Sequence, residues 1–157
     1  MSTKLQQLTS HLLGKRLARN EDIESWVDRC SIIPEARHMG EYAEICQQQS
    51  TCTVVIERFS GDARKIMALV TAWLQDNDDN RERFGLGDPE IDVTPLDKSG
   101  KSSDVDISLV FYDPVMVRLD TDGDIHWQGL RWSLIDDPLV DTAEEVAEVD
   151  PQGPGDE

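Results

Sequence analysis

The stretch Asp120-Thr121-Asp122-Gly123-Asp124 sets three carboxylates around a glycine within five residues, the composition of a calcium loop. An EF-hand loop needs glycine at its sixth position for the sharp turn and glutamate at its twelfth as a bidentate ligand. Ile125 and Arg131 occupy those positions, so a turn between two strands accounts for the acidic residues without a metal. Gly85-Leu86-Gly87 lacks the third glycine and the following helix that a dinucleotide loop requires. His11, His38 and His126 lie far apart and form no helical pair, so a zinc site would have to draw its ligands from several elements. No Gly-x-Ser-x-Gly elbow is present, and no cysteine has an adjacent base to activate it. Cys30, Cys46 and Cys52 are odd in number and show no metal or redox spacing. A Cys46–Cys52 disulfide and small buried thiols are both compatible with that pattern. Carboxylates are so abundant that convergence of two of them carries no specificity. The expectation is a protein without catalytic, cofactor-binding or metal-binding residues, one that is not an enzyme.

Bulk composition narrows the class further. A chain of 157 residues fits one domain with a single core. Net charge is −17, and 136–157 holds nine acidic residues with no Lys or Arg. Phosphate neutralisation needs clustered Lys and Arg, so nucleic acid is an unsuitable partner. The acidity fits solubility, repulsion of wrong partners or attraction to a basic one, with DNA mimicry as a further alternative. No apolar run is long enough to cross a bilayer. Met1-Ser2-Thr3-Lys4-Leu5-Gln6-Gln7 lacks the apolar core of a signal peptide, which predicts a protein that stays in the cytoplasm.

The elements that must position any functional surface follow from periodicity. Leu5, Leu8, Leu12 and Leu13 predict a helix over 3–19, with Gly14 weakening its middle. Ile23, Trp26 and Val27 suggest a second short helix over 21–30, with acidic residues at its start. Pro34 breaks any helix begun earlier, and Tyr42, Ala43, Ile45 and Cys46 fit either a short helix or an edge strand. The β-branched run 51–59 reads as a strand with Cys52, Val54 and Ile56 on one face. Ser60 suits a helix N-cap, Asp62 a first helical turn, and a broad apolar stripe extends from Ile66 through Trp73 and Leu74 to about Gln75.

An irregular connector over 76–103 contains a short strand at Ile91 and Val93. Val105, Ile107, Leu109 and Phe111 make the clearest strand face, with Asp104, Asp106 and Ser108 opposite. Asp113-Pro114 reads as a turn, 115–120 as another strand, Thr121-Asp122-Gly123 as a hairpin turn and 124–128 as its returning partner. Trp26 and Trp73 fit helix core positions. Trp127 and Trp132 fit either core closure or interface anchors. Beyond Pro138, partial disorder is expected.

The strand ending in Phe59, the Ser60-Gly61-Asp62 turn and the helix closing on Ala72-Trp73-Leu74 resemble the tail-completion protein R family of contractile-tailed phages. Val27-Asp28 with Ser31-Ile32, Asp106-Ile107-Ser108-Leu109 and Asp122-Gly123 extend that resemblance, in order, over about residues 1–128. Residues 129–157 match nothing in that pattern. The resemblance implies a tail terminator or collar of a phage or phage-tail-like bacteriocin particle, assembled in the bacterial cytoplasm. It implies a ring, hexameric, that sits on the last tube or sheath ring, stops growth and presents a surface for the head or a cap. The implied partners are other copies of the chain, tail tube and sheath proteins, and a head connector. Closed rings use heterologous contacts between two different faces of one subunit.

Together these readings predict an α+β fold. A four- to five-stranded antiparallel or mixed sheet packs against two main helices in a single domain over 1–135, followed by an acidic, partly flexible extension over 136–157. Interface contacts are expected from Asp104, Asp106, Trp127, Trp132, Leu134 and Ile135. A head–tail connector adaptor, a small acidic inhibitor or DNA mimic, and an enzyme of unassigned type are the alternatives.

Overall fold

The computed structural model describes residues 3–135. The expected extension over 136–157 lies outside them. The described elements are α1 (Lys4–Leu13), β1 (Ile23–Met39), β2 (Tyr42–Phe59), α2 (Ala63–Asn77), β3 (Glu90–Pro95), β4 (Ser103–Leu119), β5 (Ile125–Trp127) and β6 (Leu130–Leu134), with a 3-10 turn at Asn20–Asp22 before β1. The strands form one sheet in the order β1-β2-β4-β6-β5, and β3 also pairs with β4. The class is α+β as expected, but six strands replace the expected four or five. β3/β4, β4/β6 and β5/β6 are antiparallel. β2/β4 is antiparallel as well, since Arg58 N–H meets Asp104 at one end of the pair and Leu119 N–H meets the Glu41 carbonyl at the other.

The chain divides into two compact units, one built from 3–31 and 49–112, the other from 32–48 and 113–135. In the first unit, α1 begins with a capping box in which Thr3 and Gln6 each satisfy the other's backbone amide. Leu5, Leu8 and Leu12 form its buried stripe. The helix stops at Leu13 instead of reaching 19. Lys15 and Arg16 amides bond three residues back, and Arg16 turns left-handed at φ 55°, which ends the spiral.

The expected second helix over 21–30 is the start of β1. Ile23 is buried and Ser25 meets the Thr9 hydroxyl at 2.8 Å on the α1 side, whereas Trp26 is 43% exposed and no core residue. The alternation serves pairing with β2, where Asp28 accepts from Thr53 at 2.6 Å, and that pairing overrides the local helical spacing. Asp62, not Ser60, caps α2 by accepting from Arg64 N–H at 2.9 Å. Gly61 lies under the Phe59 ring, where an added Cβ would stand 2.7 Å from the ring tip. The core joins the α1 and α2 stripes to Cys52, Val54 and Ile56 of β2 and Val105, Ile107, Leu109 and Phe111 of β4.

β4 runs unbroken through the expected turn at Asp113-Pro114. β3 covers one edge of β4 only as far as Ser108, and β6 takes over at Val117. Between them, β4 pairs with no strand on that side among the described residues, so the missing Pro114 N–H breaks no ladder there. The side chain of Arg81 donates to the Val110 carbonyl at 2.7 Å and that of Lys4 to the Tyr112 carbonyl at 2.6 Å. Both cations are held by Asp78, whose side chain is only 2% exposed and lies 3.0 Å from Lys4 and 2.9 Å from Arg81. A buried carboxylate with two cations thus takes the place of a strand along this stretch.

In the second unit, the β1/β2 hairpin turns through Gly40 and Glu41, with Gly40 at φ 77°. The β5/β6 hairpin turns through Gln128 at φ 54° and Gly129 at φ 76°, the two left-handed positions of a type I′ turn. β6 lies between β4 and β5, so 115–120 and 124–128 are not the hairpin partners their order suggested. Gly123 has no left-handed φ. It is required because a Cβ there would lie 2.1 Å from the Trp132 carbonyl oxygen. Ala43, Val117 and Trp132 form the core, flanked by Ile45, Ile125 and Trp127.

Candidate interface surfaces

Two surfaces of the first unit stand out. On the sheet face away from the helices, strand positions alternating with core residues carry Asp28, Glu57, Glu90, Asp92, Asp104 and Asp106, and none is Lys or Arg. Asp106 is exposed and sits directly across from Asp92 of β3, a like-charge pair that opposes the sheet. Asp104 is half-buried and has a structural task. It accepts the amide of Arg58 at 3.0 Å, where β2 kinks into a left-handed residue at φ 53°. The Arg58 guanidinium reaches the buried Asp22. The second surface is a groove of 570 Å³ between α2, the 78–89 connector and β3, lined by Ile66, Met67, Val70, Leu86, Pro89 and Ile91 among others. Apolar side chains make its floor, and Asp78, Arg81, Glu82 and Asp88 contribute polar groups.

In the second unit, the expected interface residues separate by burial. Trp132 is 1% exposed and Ile135 3%, so both side chains are used by the chain's own core. The Trp132 indole N–H donates to the Trp127 carbonyl at 3.1 Å. Trp127 is half-buried, and His38 of β1 stacks on it at 4.8 Å with planes 3° apart. The first and last strands of the sheet order therefore meet in this unit. Leu134 is 52% exposed, beside Val117 of β4. Leu119 and Leu130, 39% and 51% exposed, share that apolar sheet face. They were not singled out from sequence as interface residues, nor were Glu90 and Asp92, and His38 was weighed only as a zinc ligand. The alternation of Glu90, Asp92 and Thr94 with Ile91 and Val93 carried the signal for the β3 residues.

Burial, then the hydrogen bond and charge of Glu35, push the Glu44 carboxyl above its ordinary 4.5, against the opposing pull of Gln47 and Arg37. Burial, with Glu35 and Glu44 nearby, also pushes the Cys46 thiol up. The three cysteines are not in disulfides. Cys52 is buried and Cys46 half-buried, but Cys30 is exposed, so of the two readings the sequence left open, small buried thiols fit Cys52 and in part Cys46. Among the described residues, no three His, Cys, Asp or Glu side chains converge as metal ligands, and no helix is long and apolar enough to cross a membrane.

The sequence that builds this fold matches a known family. The model of the P2 phage tail completion protein R (GpR) matches residues 2–137. The chain belongs to that family. The match runs past residue 128, where the resemblance read from sequence stopped, so β6 and Trp132 fall within the residues that match GpR. The motifs that carried the resemblance are structural in this GpR member. Phe59-Ser60-Gly61-Asp62 is the β2-to-α2 junction, and Asp106-Ile107-Ser108-Leu109 is the part of β4 that carries the core and the acidic face. Comparison with curated proteins and with solved structures gave no match. Membership assigns the protein to phage tail completion, a structural role in the tail.

Proposed function

We propose that this GpR member is a tail terminator or collar. It forms a ring, hexameric, on the end of a contractile phage-like tail, stops growth of tube and sheath, and presents the surface that receives the head or a cap. The family match over 2–137 carries this reading. Support comes from the distribution of surfaces. A ring subunit needs two unlike faces for heterologous contact. The acidic sheet face is centred on β3 and the start of β4, the apolar face bearing Leu119, Leu130 and Leu134 on the end of β4 and on β6, and the two are chemically unlike. The work is structural, with no covalent step, in the bacterial cytoplasm during particle assembly. Net charge of −17 keeps free subunits apart until a tail end offers a template.

Electron microscopy of particles from a strain lacking the gene tests the role. Overlong or ragged tails are expected. Tails of normal length that merely lack heads would instead assign the protein to a head-side adaptor.

A further inference from the structure

The open edge of β3 has the three features of a strand acceptor. Its first feature is unused backbone. Among the described residues β3 pairs with β4 alone. Leu96 N–H donates to the Ser102 carbonyl at 3.0 Å, continuing the β3/β4 register by one residue beyond Pro95↔Ser103. Hydrogen-bonded pairs in an antiparallel ladder recur at every second residue. Thr94, Asp92 and Glu90 therefore bond to β4, and the backbone groups of Ile91 and Val93 point away from the sheet. Pro95 shares that orientation, so its lack of an N–H removes nothing from the β4 ladder.

The second feature is the groove. Ile91 pairs with Ile107 and Val93 with Val105 on the helix-covered face. Val105 is fully buried, but Val93, one strand further out, is 41% exposed. The apolar layer under α2 thus runs to the edge and stops unfinished, beside the 570 Å³ groove walled by Met67 and Leu86. A strand added outside β3 would place alternate side chains into this space.

The third feature is charge. The other side chains of the added strand would emerge on the opposite face, beside Glu90 and Asp92, with Asp106 one strand in. These carboxylates favour cations and repel acids. The same charges disfavour a second copy of this chain. Its β1 edge, the other free edge of this unit's sheet, would bring Glu24 and Asp28 to that side.

From these features we infer that β3 is the docking edge for an extended segment of another protein in which apolar residues alternate with Lys or Arg. Main-chain bonds to Ile91 and Val93 supply the affinity. The groove selects the apolar positions and the acidic face selects the basic ones, the division of labour of strand addition to a sheet edge. This inference requires no ring and no tail.

A library of random ten-residue peptides, selected by mRNA display against the full chain, tests it. Enriched peptides are expected to alternate apolar and basic residues with a period of two. Val93→Pro removes an outward N–H without breaking the β4 ladder, and Met67→Glu puts a charge in the groove away from β3. Each should weaken binding of a selected peptide at least tenfold, and Asp92→Lys should abolish the preference for basic residues. Absence of enrichment, enriched peptides without that period, or equal binding by Val93→Pro and Met67→Glu would overturn the inference. So would self-association of the purified chain that Val93→Pro abolishes, since the occupant would then be a second copy. The selection uses no tail, so its outcome is separate from that of the deletion-strain micrographs.

Discussion

Asp78→Ala removes the carboxylate that holds Lys4 and Arg81 against β4. The side chains of Asp78, Arg81 and Lys4 are 2%, 12% and 24% exposed. Removing one partner of a buried ion pair costs about 3–5 kcal/mol, because the remaining charge stays buried without compensation. Here both cations keep backbone acceptors, Tyr112 for Lys4 and Val110 and Gly87 for Arg81. Lys4 can also swing towards water. The expected loss is therefore at the lower end, about 3 kcal/mol, or on the order of 10 °C in Tm for a body of this size. Urea denaturation followed by circular dichroism measures it, and hydrogen exchange should show faster exchange near Val110 and Tyr112. If stranded charge is the cause, replacing all three side chains by apolar ones (Lys4→Met, Asp78→Leu, Arg81→Met) must cost less than Asp78→Ala alone. A single variant within about 1 kcal/mol of wild type, or a triple variant less stable than the single one, would refute the reasoning.

Two further perturbations follow from geometry and charge. Gly123→Ala sets a Cβ against the Trp132 backbone, which cannot yield as a side-chain tip can, so a loss of about 3 kcal/mol or more is expected, at or above the usual range for overpacking. Gly87→Ala, with open space and no left-handed φ, should leave the melting temperature unchanged or slightly raised, and thermal melts of the pair check both. Glu44 holds its proton more tightly in the fold than in the unfolded chain. Its contribution to stability is complete below the ordinary carboxylate range and is lost as pH rises through the raised value. Glu44→Gln should therefore melt higher than wild type at pH 7 and flatten the melting curve between pH 4 and 8, and unchanged pH dependence would contradict this.

The sequence by itself determined the local elements whose signal is carried by neighbours in the chain. The leucine stripe of α1, the broad stripe of α2 and the alternation of β4 each follow from burial of one face, and the Ser60-Gly61-Asp62 junction was specific enough to point to the family. Position of the N-cap moved by two residues because Asp62 and Ser60 are both good caps, and in the fold it is the Asp62 carboxylate that accepts the Arg64 amide. What the tertiary structure alone decided is pairing. Residues 21–30 read as a helix until β2 lies beside them and makes them the start of β1. Pro114 reads as a turn until the missing ladder partner makes its lost N–H harmless. Trp132 fits core closure as well as an interface anchor until β6 inserts between β4 and β5 and buries it. In each case the deciding hydrogen bonds and contacts join residues far apart in the chain, and the energy of such pairings is not written in the local spacing of side chains.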